Sequence, residues 1–199
     1  MTSIRDFETL PAAAAAVGDD LTGDYQIDVT HTRLGFVARH AMVTSVRGFF
    51  GDFDGTIHLD ATEPAKSTAK LTIAVASVAT GQQKRDDHLR SADFFDVEKY
   101  PKMTFVSTEA EQLDEETYRL TGDLTIKEVT RPVTIEFTFN GSAKDPFGNL
   151  RIGFDGKTAV NRKDWGLTWN AALETGGVLV SDKIKLEFDV SAVKINSEG

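Results

Sequence analysis

The sequence predicts an all-β protein, an antiparallel sandwich or barrel with a short helix over one end. Three observations carry that expectation. Apolar and polar residues alternate with a period of two in run after run from Tyr25 onward. Clusters of turn-forming residues separate the runs at short spacing. No long helical stretch lies between most of them, the exception being a segment that starts near Arg85 and stops before Pro101.

Taken in order, Tyr25, Ile27 and Val29 alternate with Gln26 and Asp28, which gives the first strand one dry and one wet face. Residues 34–38 form a weaker run. Residues 47–59 put Phe49, Phe53, Ile57 and Leu59 on one parity, and a turn follows at 60–64. Leu71, Ile73 and Val75 alternate with Thr72 and Ala74. Beyond the helical segment, 103–108 and 118–126 flank a turn at 113–116. Val133, Ile135, Phe137 and Phe139 alternate with Thr134, Glu136 and Thr138. A turn region at 140–149, a run at 150–160 and a turn at 174–177 lead to the last strand, where Ile184, Leu186, Phe188 and Val190 alternate with Lys185, Glu187 and Asp189.

Glycines share the dry parity: Gly51 and Gly55, then Gly122, then Gly156. A glycine there either leaves empty volume or lets the strand bend sharply. A hollow interior and a filled core are both open at this point, since about eight strands enclose just enough room for side chains or one small ligand.

Composition narrows the function. A chain of 199 residues suits one large domain with a sizeable core. The net charge of -9 argues against nucleic acid as a partner and disfavours an anionic bilayer surface. Without cysteine there is no disulfide and no thiolate zinc site. No apolar run is long enough for a transmembrane segment. The opening MTSIRDFETLPAAAAAVGDDLTG is a poor secretory signal, its apolar part being short, made of alanine and preceded by Asp6 and Glu8. A cytoplasmic protein is expected, with residues 1–23 an N-terminal extension, helical or disordered, and 24–196 the barrel.

The segment RDDHLRSADFFDVEKYP gathers Arg85, Asp86, Asp87 and His88 beside Phe94 and Phe95. Either aspartate can cap the helix N-terminus, and the apolar side can cover a barrel end. The same residues also offer chemistry: Asp86 and His88 are two metal ligands or a proton-transfer pair. A metal site needs more ligands, and His31, His40 and His58 stand at no motif spacing to His88. No nucleophile elbow, phosphate-cradling loop or zinc-protease motif is present. The structural role therefore outweighs the headgroup role, and that outweighs catalysis. His40 continues the parity of Leu34, Phe36 and Ala38 and points to a barrel mouth, most simply as a hydrogen-bonded histidine. Asn161, Arg162 and Asp164 read as a locally paired connection, and Trp165 and Trp169 as packing.

Five stretches, YQIDVTHTRLGFVARH, VRGFFGDFDGTI, TGQQKRDDHLRSADFFDVEKYPKMTFVST, YRLTGDLTIKEVTRPVTIEF and VNRKDWGL with VSDKIKLEFDV, together resemble the YceI family of polyisoprenoid-binding proteins in order and spacing. The resemblance runs from about Tyr25 to Ile195. It implies an extended, lipocalin-like antiparallel barrel of eight strands with the short helix at one end. Inside, it implies a long isoprenoid, quinone or other amphiphilic lipid, with no catalytic residue set. The family's Arg-Asp-x-His-Leu and Phe-Phe positions match Arg85, Asp86, His88, Leu89, Phe94 and Phe95, and its two N-terminal histidines match His31 and His40. Where many members carry Gly-Val-Thr this chain has Glu128-Val129-Thr130, which implies loss of a left-handed residue. Trp165 replaces a smaller aromatic and would narrow the cavity.

The expected function is binding, with carriage or storage, of such a lipid. Its tail is expected against Phe36, Phe49, Phe53, Ile57, Leu71, Ile73, Val75, Met103, Phe105, Leu120, Leu124, Phe137, Phe139 and Phe154, with His40, Arg85 and His88 at the rim. No cofactor or metal is expected beyond the lipid. A homodimer covering strand edges is the assembly those edges allow. Two alternatives stand beside this: an enzyme using His88 with Asp86 or Asp87 on an apolar substrate, and a filled barrel acting as a stress-response or interaction module.

Overall fold

The computed structural model describes residues 20–196. Its elements are β1 (Gly23–Ile27), β2 (Arg33–His40), β3 (Thr44–Phe50), β4 (Phe53–Leu59), β5 (Thr68–Ala74), β6 (Val78–Ala79), α1 (Gln83–Arg90), β7 (Lys102–Gln112), β8 (Thr117–Ile126), β9 (Val129–Lys144), β10 (Leu150–Asn161) and β11 (Lys183–Lys194). Of the extension expected over 1–23, residues 1–19 lie outside the described residues, and Gly23 already belongs to β1.

All the strands belong to one antiparallel sheet, which closes where β1 pairs with β11. Three staves of the barrel are broken midway. β1 and β2 lie end to end along β11, through Tyr25 opposite Lys194 and Phe36 opposite Leu186. β3 and β4 follow them on the next stave, and β5 and β6 on the one after. The result is the closed eight-stranded antiparallel barrel with one short helix that the sequence predicts.

The break between β3 and β4 has a consequence for the wall. Gly51 and Asp52 leave the ladder, so the parity expected to run unbroken through 47–59 changes there. Gly48 and Phe50 face inward on β3, while Phe53, Gly55 and Leu59 do so on β4. Phe49 is therefore on the outer face, 36% exposed, with the Arg33 guanidinium 4.7 Å from its ring centroid. A shift of one residue inverts a strand's faces, and here it removes Phe49 from the interior.

Helix α1 closes one end of the barrel. Gln82 occupies its N-cap without a side-chain bond, so neither Asp86 nor Asp87 serves as the cap expected of them. Asp86 lies a turn further in, buried, where its Oδ1 accepts from the Thr80 amide (2.9 Å) and hydroxyl (2.6 Å). Arg90 donates to the carbonyls of Ala76 and Val78, both at 2.8 Å. These bonds lash the helix to the strand before it, and such charge-assisted bonds are about twice as strong as neutral ones.

The β8–β9 hairpin turns on Lys127 (φ 51°) and Glu128 (φ 65°). The left-handed residue expected to be lost is thus retained without glycine, at a cost of about 1–2 kcal/mol per residue. Two-residue turns of this twist favour Asn-Gly. Lys127→Asn combined with Glu128→Gly is expected to raise stability by roughly 1 kcal/mol; an unchanged or lower Tm refutes the strain.

Arg151 ties the bend between β1 and β2 to the β9–β10 turn. Its Nη1 donates to Asp28 (2.6 Å) and its Nε to Asp145 (3.0 Å). Hydrogen bonds from Thr30, then from Arg151 and His31, outweigh burial and hold the Asp28 carboxyl well below the usual carboxylate range. At Asp145 burial acts upward, but bonds from Asn149, Arg151 and Phe147 prevail and bring it to about 2. Depressed values stabilise the fold above the unfolded pKa near 3.9, and that contribution is lost as pH falls through the folded values. Arg151→Met is expected to lower the urea midpoint at neutral pH and to shrink its further fall on acidification below about pH 4. Identical acid losses in both proteins exclude the network as their source.

Candidate functional site

The barrel encloses a cavity of about 300 Å³ whose walls are almost wholly apolar. On β8 it is lined from Tyr118 to Ile126, and at the α1 end by Leu89, Phe94, Phe95 and Trp165. Eight residues of strand rise about 26 Å, and a tilt near 40° leaves about 20 Å along the barrel axis. The cavity is a bore, not a local void, so the filled-barrel alternative fails on its premise.

Ten of the residues expected against a tail line this bore: Phe36, Ile57, Leu71, Ile73, Met103, Phe105, Leu120, Leu124, Phe137 and Phe154. The other four do not. Phe49 points outward, as described above. Phe53 (6% exposed) and Val75 (2%) are buried in packed parts of the core, and Phe139 packs against Phe154 at 5.2 Å between ring centroids. Sequence reasoning left out Phe50, Tyr118, Trp165 and Phe188, which do line the bore. Tyr118 and Phe188 were legible as dry-face residues. Phe50 was hidden by the parity change, and Trp165 sits on a 3-10 turn (Arg162–Trp165) with no strand period to reveal it.

None of the three expected rim residues lines the bore. His40 is exposed, and its backbone bridges Val180. Arg85 donates to the Thr80 hydroxyl at 2.7 Å and to the Thr80 carbonyl at 2.9 Å. His88 bonds Asp93 at 2.8 Å through Nε2, and its ring meets Trp169 edge to face at 4.5 Å. Asp87 accepts instead from Gln83 and Arg90. His88 is thus paired with neither Asp86 nor Asp87. The placement by parity failed because β2 ends at His40, beyond the stretch that walls the cavity.

The buried cation of this end is Arg162, 4% exposed and lining the bore. Its guanidinium donates to the carbonyls of Ser181, Leu167 and Trp169 at 2.9, 2.6 and 2.9 Å, and lies 3.6 Å from Asp182. Burial lowers its pKa from the ordinary arginine value, and Asp182 opposes that shift. The local pairing expected among Asn161, Arg162 and Asp164 is not formed: Asn161 caps the Lys163 amide, and Arg162 reaches across to residues 167–182. The remaining charged and hydroxyl-bearing residues along the wall, Ser67, Thr68, Lys70, Tyr118 and Arg119, gather at the end opposite α1. Among the described residues no cluster of His, Cys, Asp and Glu is arranged to hold a metal, and no helix is long and apolar enough to cross a membrane.

A closed antiparallel barrel with a continuous apolar bore and a capping helix defines a class of small hollow β-barrel proteins. Within that class the chain belongs to the YceI-like domain family, whose model matches residues 25–192. A UPF0312 protein of Pseudomonas syringae pv. tomato is 40% identical over 160 residues, 79% of this chain and 83% of that one. The crystal structure of the Campylobacter jejuni YCEI protein aligns with a TM-score of 0.69 at 33% identity, covering 79% of this chain and 90% of its own. A polyisoprenoid binding domain from Saccharophagus degradans, implicated in plant cell wall breakdown, shares the fold with a TM-score of 0.65 at 16% identity, over 86% of this chain and 98% of that domain.

Proposed function

We propose that the protein binds a long-chain amphiphilic lipid, an isoprenoid or quinone tail being the chemistry in view, and carries or stores it without transforming it. The observation that carries this reading is the apolar bore along the barrel axis. Each buried CH₂ is worth roughly 0.8 kcal/mol, so a tail of ordinary length outweighs the several kcal/mol lost on immobilisation. A bore without converging polar groups recognises width and length more than functional groups. The headgroup is assigned to the end opposite α1, where Tyr118 lines the bore, in place of His40, Arg85 and His88. The polyisoprenoid binding domain that shares the fold supports the same ligand class.

Native mass spectrometry of freshly purified protein, followed by organic extraction and identification of what is released, tests the proposal. A long-chain lipid at near-stoichiometric occupancy is the expected result. Protein that purifies empty and takes up no apolar probe refutes it, and turnover of a bound lipid refutes the non-catalytic part.

A further inference from the structure

Four glycines face the bore, Gly48, Gly55, Gly122 and Gly156, and all four are buried. Each is overlain by a large side chain from a neighbouring strand. Phe36 stands directly opposite Gly48, and Phe137 directly opposite Gly156. Phe105 lies diagonal to Gly122, next to Ser107 in the register. Leu71 is opposite Gly55. The approach is too close for any other residue. A Cβ on Gly48 would stand 2.8 Å from Cε1 of Phe36, and one on Gly122 would stand 2.7 Å from Cε2 of Phe105. One on Gly156 would collide with the Phe137 ring at Cδ1 and Cε1. Each ring therefore lies in a hollow of the wall that only glycine leaves free.

The hollows decide what volume remains. Three of these large side chains are Phe, and all three line the bore. With a Cβ beneath it, a ring has nowhere to go but toward the axis, because the strand backbone is behind it. The cavity of about 300 Å³ is drawn out over about 20 Å, so the bore is narrow even with the rings seated. A single displaced ring narrows it further.

We infer that Gly48, Gly122 and Gly156, with Phe36, Phe105 and Phe137 seated on them, set the ligand's cross-section and restrict it to single acyclic chains, excluding fused-ring lipids. This assignment rests on the proposed lipid-binding function and names the width that function accepts. Phe36 contacts Phe50, which in turn meets Phe95 of the end cap, while Phe137 packs beside Phe154 and Phe188, Phe154 meeting Tyr118 at the start of β8. The seats therefore gauge the bore toward both ends.

The cleanest variants are Gly156→Ala and Gly48→Ala, because the atoms nearest to their Cβ are ring atoms, whereas one at Gly122 also meets the Val106 carbonyl at 2.7 Å. Delipidated full-length protein is loaded with hexadecanol or cholesterol and weighed by native mass spectrometry, with circular dichroism as the check on folding. Wild type is expected to take hexadecanol and refuse cholesterol. Gly156→Ala is expected to weaken hexadecanol binding at least tenfold, and adding Phe137→Ala to it to restore that binding. Gly48→Ala, expected to behave alike, keeps the test open should Gly156→Ala not fold. Undiminished hexadecanol binding in a folded alanine variant, or cholesterol binding by wild type, overturns the width assignment and leaves the carrier reading intact. Wild type that takes neither probe overturns both.

Discussion

Arg162→Met is expected to cost about 3–5 kcal/mol of unfolding free energy, the scale for breaking a buried ionic hub. The side chain could be matched in volume, but the bonds could not. Ser181, Leu167 and Trp169 each present a carbonyl to the guanidinium, and Val180 lies at the limit of bonding at 3.5 Å. A carbonyl left buried without a partner costs about 1–3 kcal/mol, and only those that reach water recover part of it. Asp182 would lose its buried cation and keep only Lys163 at 3.1 Å. In a domain of this size the loss is a fall in Tm of roughly 10 °C. Arg162→Lys is expected to fall between the two, since an ammonium offers a compact charge but no planar fork. Thermal unfolding followed by tryptophan fluorescence measures this directly, because Trp165 on the same turn donates to the Leu124 carbonyl at 2.9 Å. A loss under about 1 kcal/mol would show that the 167–182 connection is held by other contacts.

That connection also marks where the sequence stops being legible. Residues in β5, β9 and β11 alternate because each stave has one wet face and one dry one, and nothing non-local is needed to read them. Ten lining residues follow from that alone. The path of residues 167–182 is set by carbonyls converging on one guanidinium, a relation between residues with no periodicity, so Arg162 read only as a local pairing. Gly51-Asp52 shows the other limit. A break of two residues leaves the composition of 47–59 unchanged, yet it decides whether Phe49 or Phe50 faces the bore. Glycine on the dry parity was ambiguous between empty volume and a bent strand. At Gly156 the ambiguity is resolved only by the ring of Phe137, which belongs to a different strand.

The end cap shows why charge and histidine are poor guides to this site. Asp86, Arg85, Arg90 and His88 make a dense polar cluster, but every bond described for them ends on the helix, its own strand or the adjoining loop. The cluster fixes the cap so that Leu89, Phe94 and Phe95 can face inward. Its polarity is the consequence of holding an apolar lid in place, although in sequence it resembles a catalytic toolkit.

Phe137→Asp is therefore expected to empty the bore, and His88→Ala to leave it loaded. An aspartate in place of Phe137 removes a ring that packs against Phe154 and Phe188 and puts a carboxylate in a wall with almost no polar atoms. Ionised, it would cost many kcal/mol unless water entered; protonated, it would still lack a partner. Either way the tail loses apolar contact and must compete with water, and occupancy is expected to drop roughly tenfold or more, since each 1.4 kcal/mol is a factor of ten. His88 touches Trp169 and Phe94 but does not itself line the bore, so its loss is expected to loosen the cap and leave the barrel wall in place. Phe53→Asp is not an equivalent probe, because Phe53 is buried away from the bore and its replacement acts through stability. Mass spectrometry of the two purified variants, with circular dichroism confirming the fold, separates the cases. Lipid retained by Phe137→Asp and lost from His88→Ala would place the ligand at the cap and not along the barrel axis.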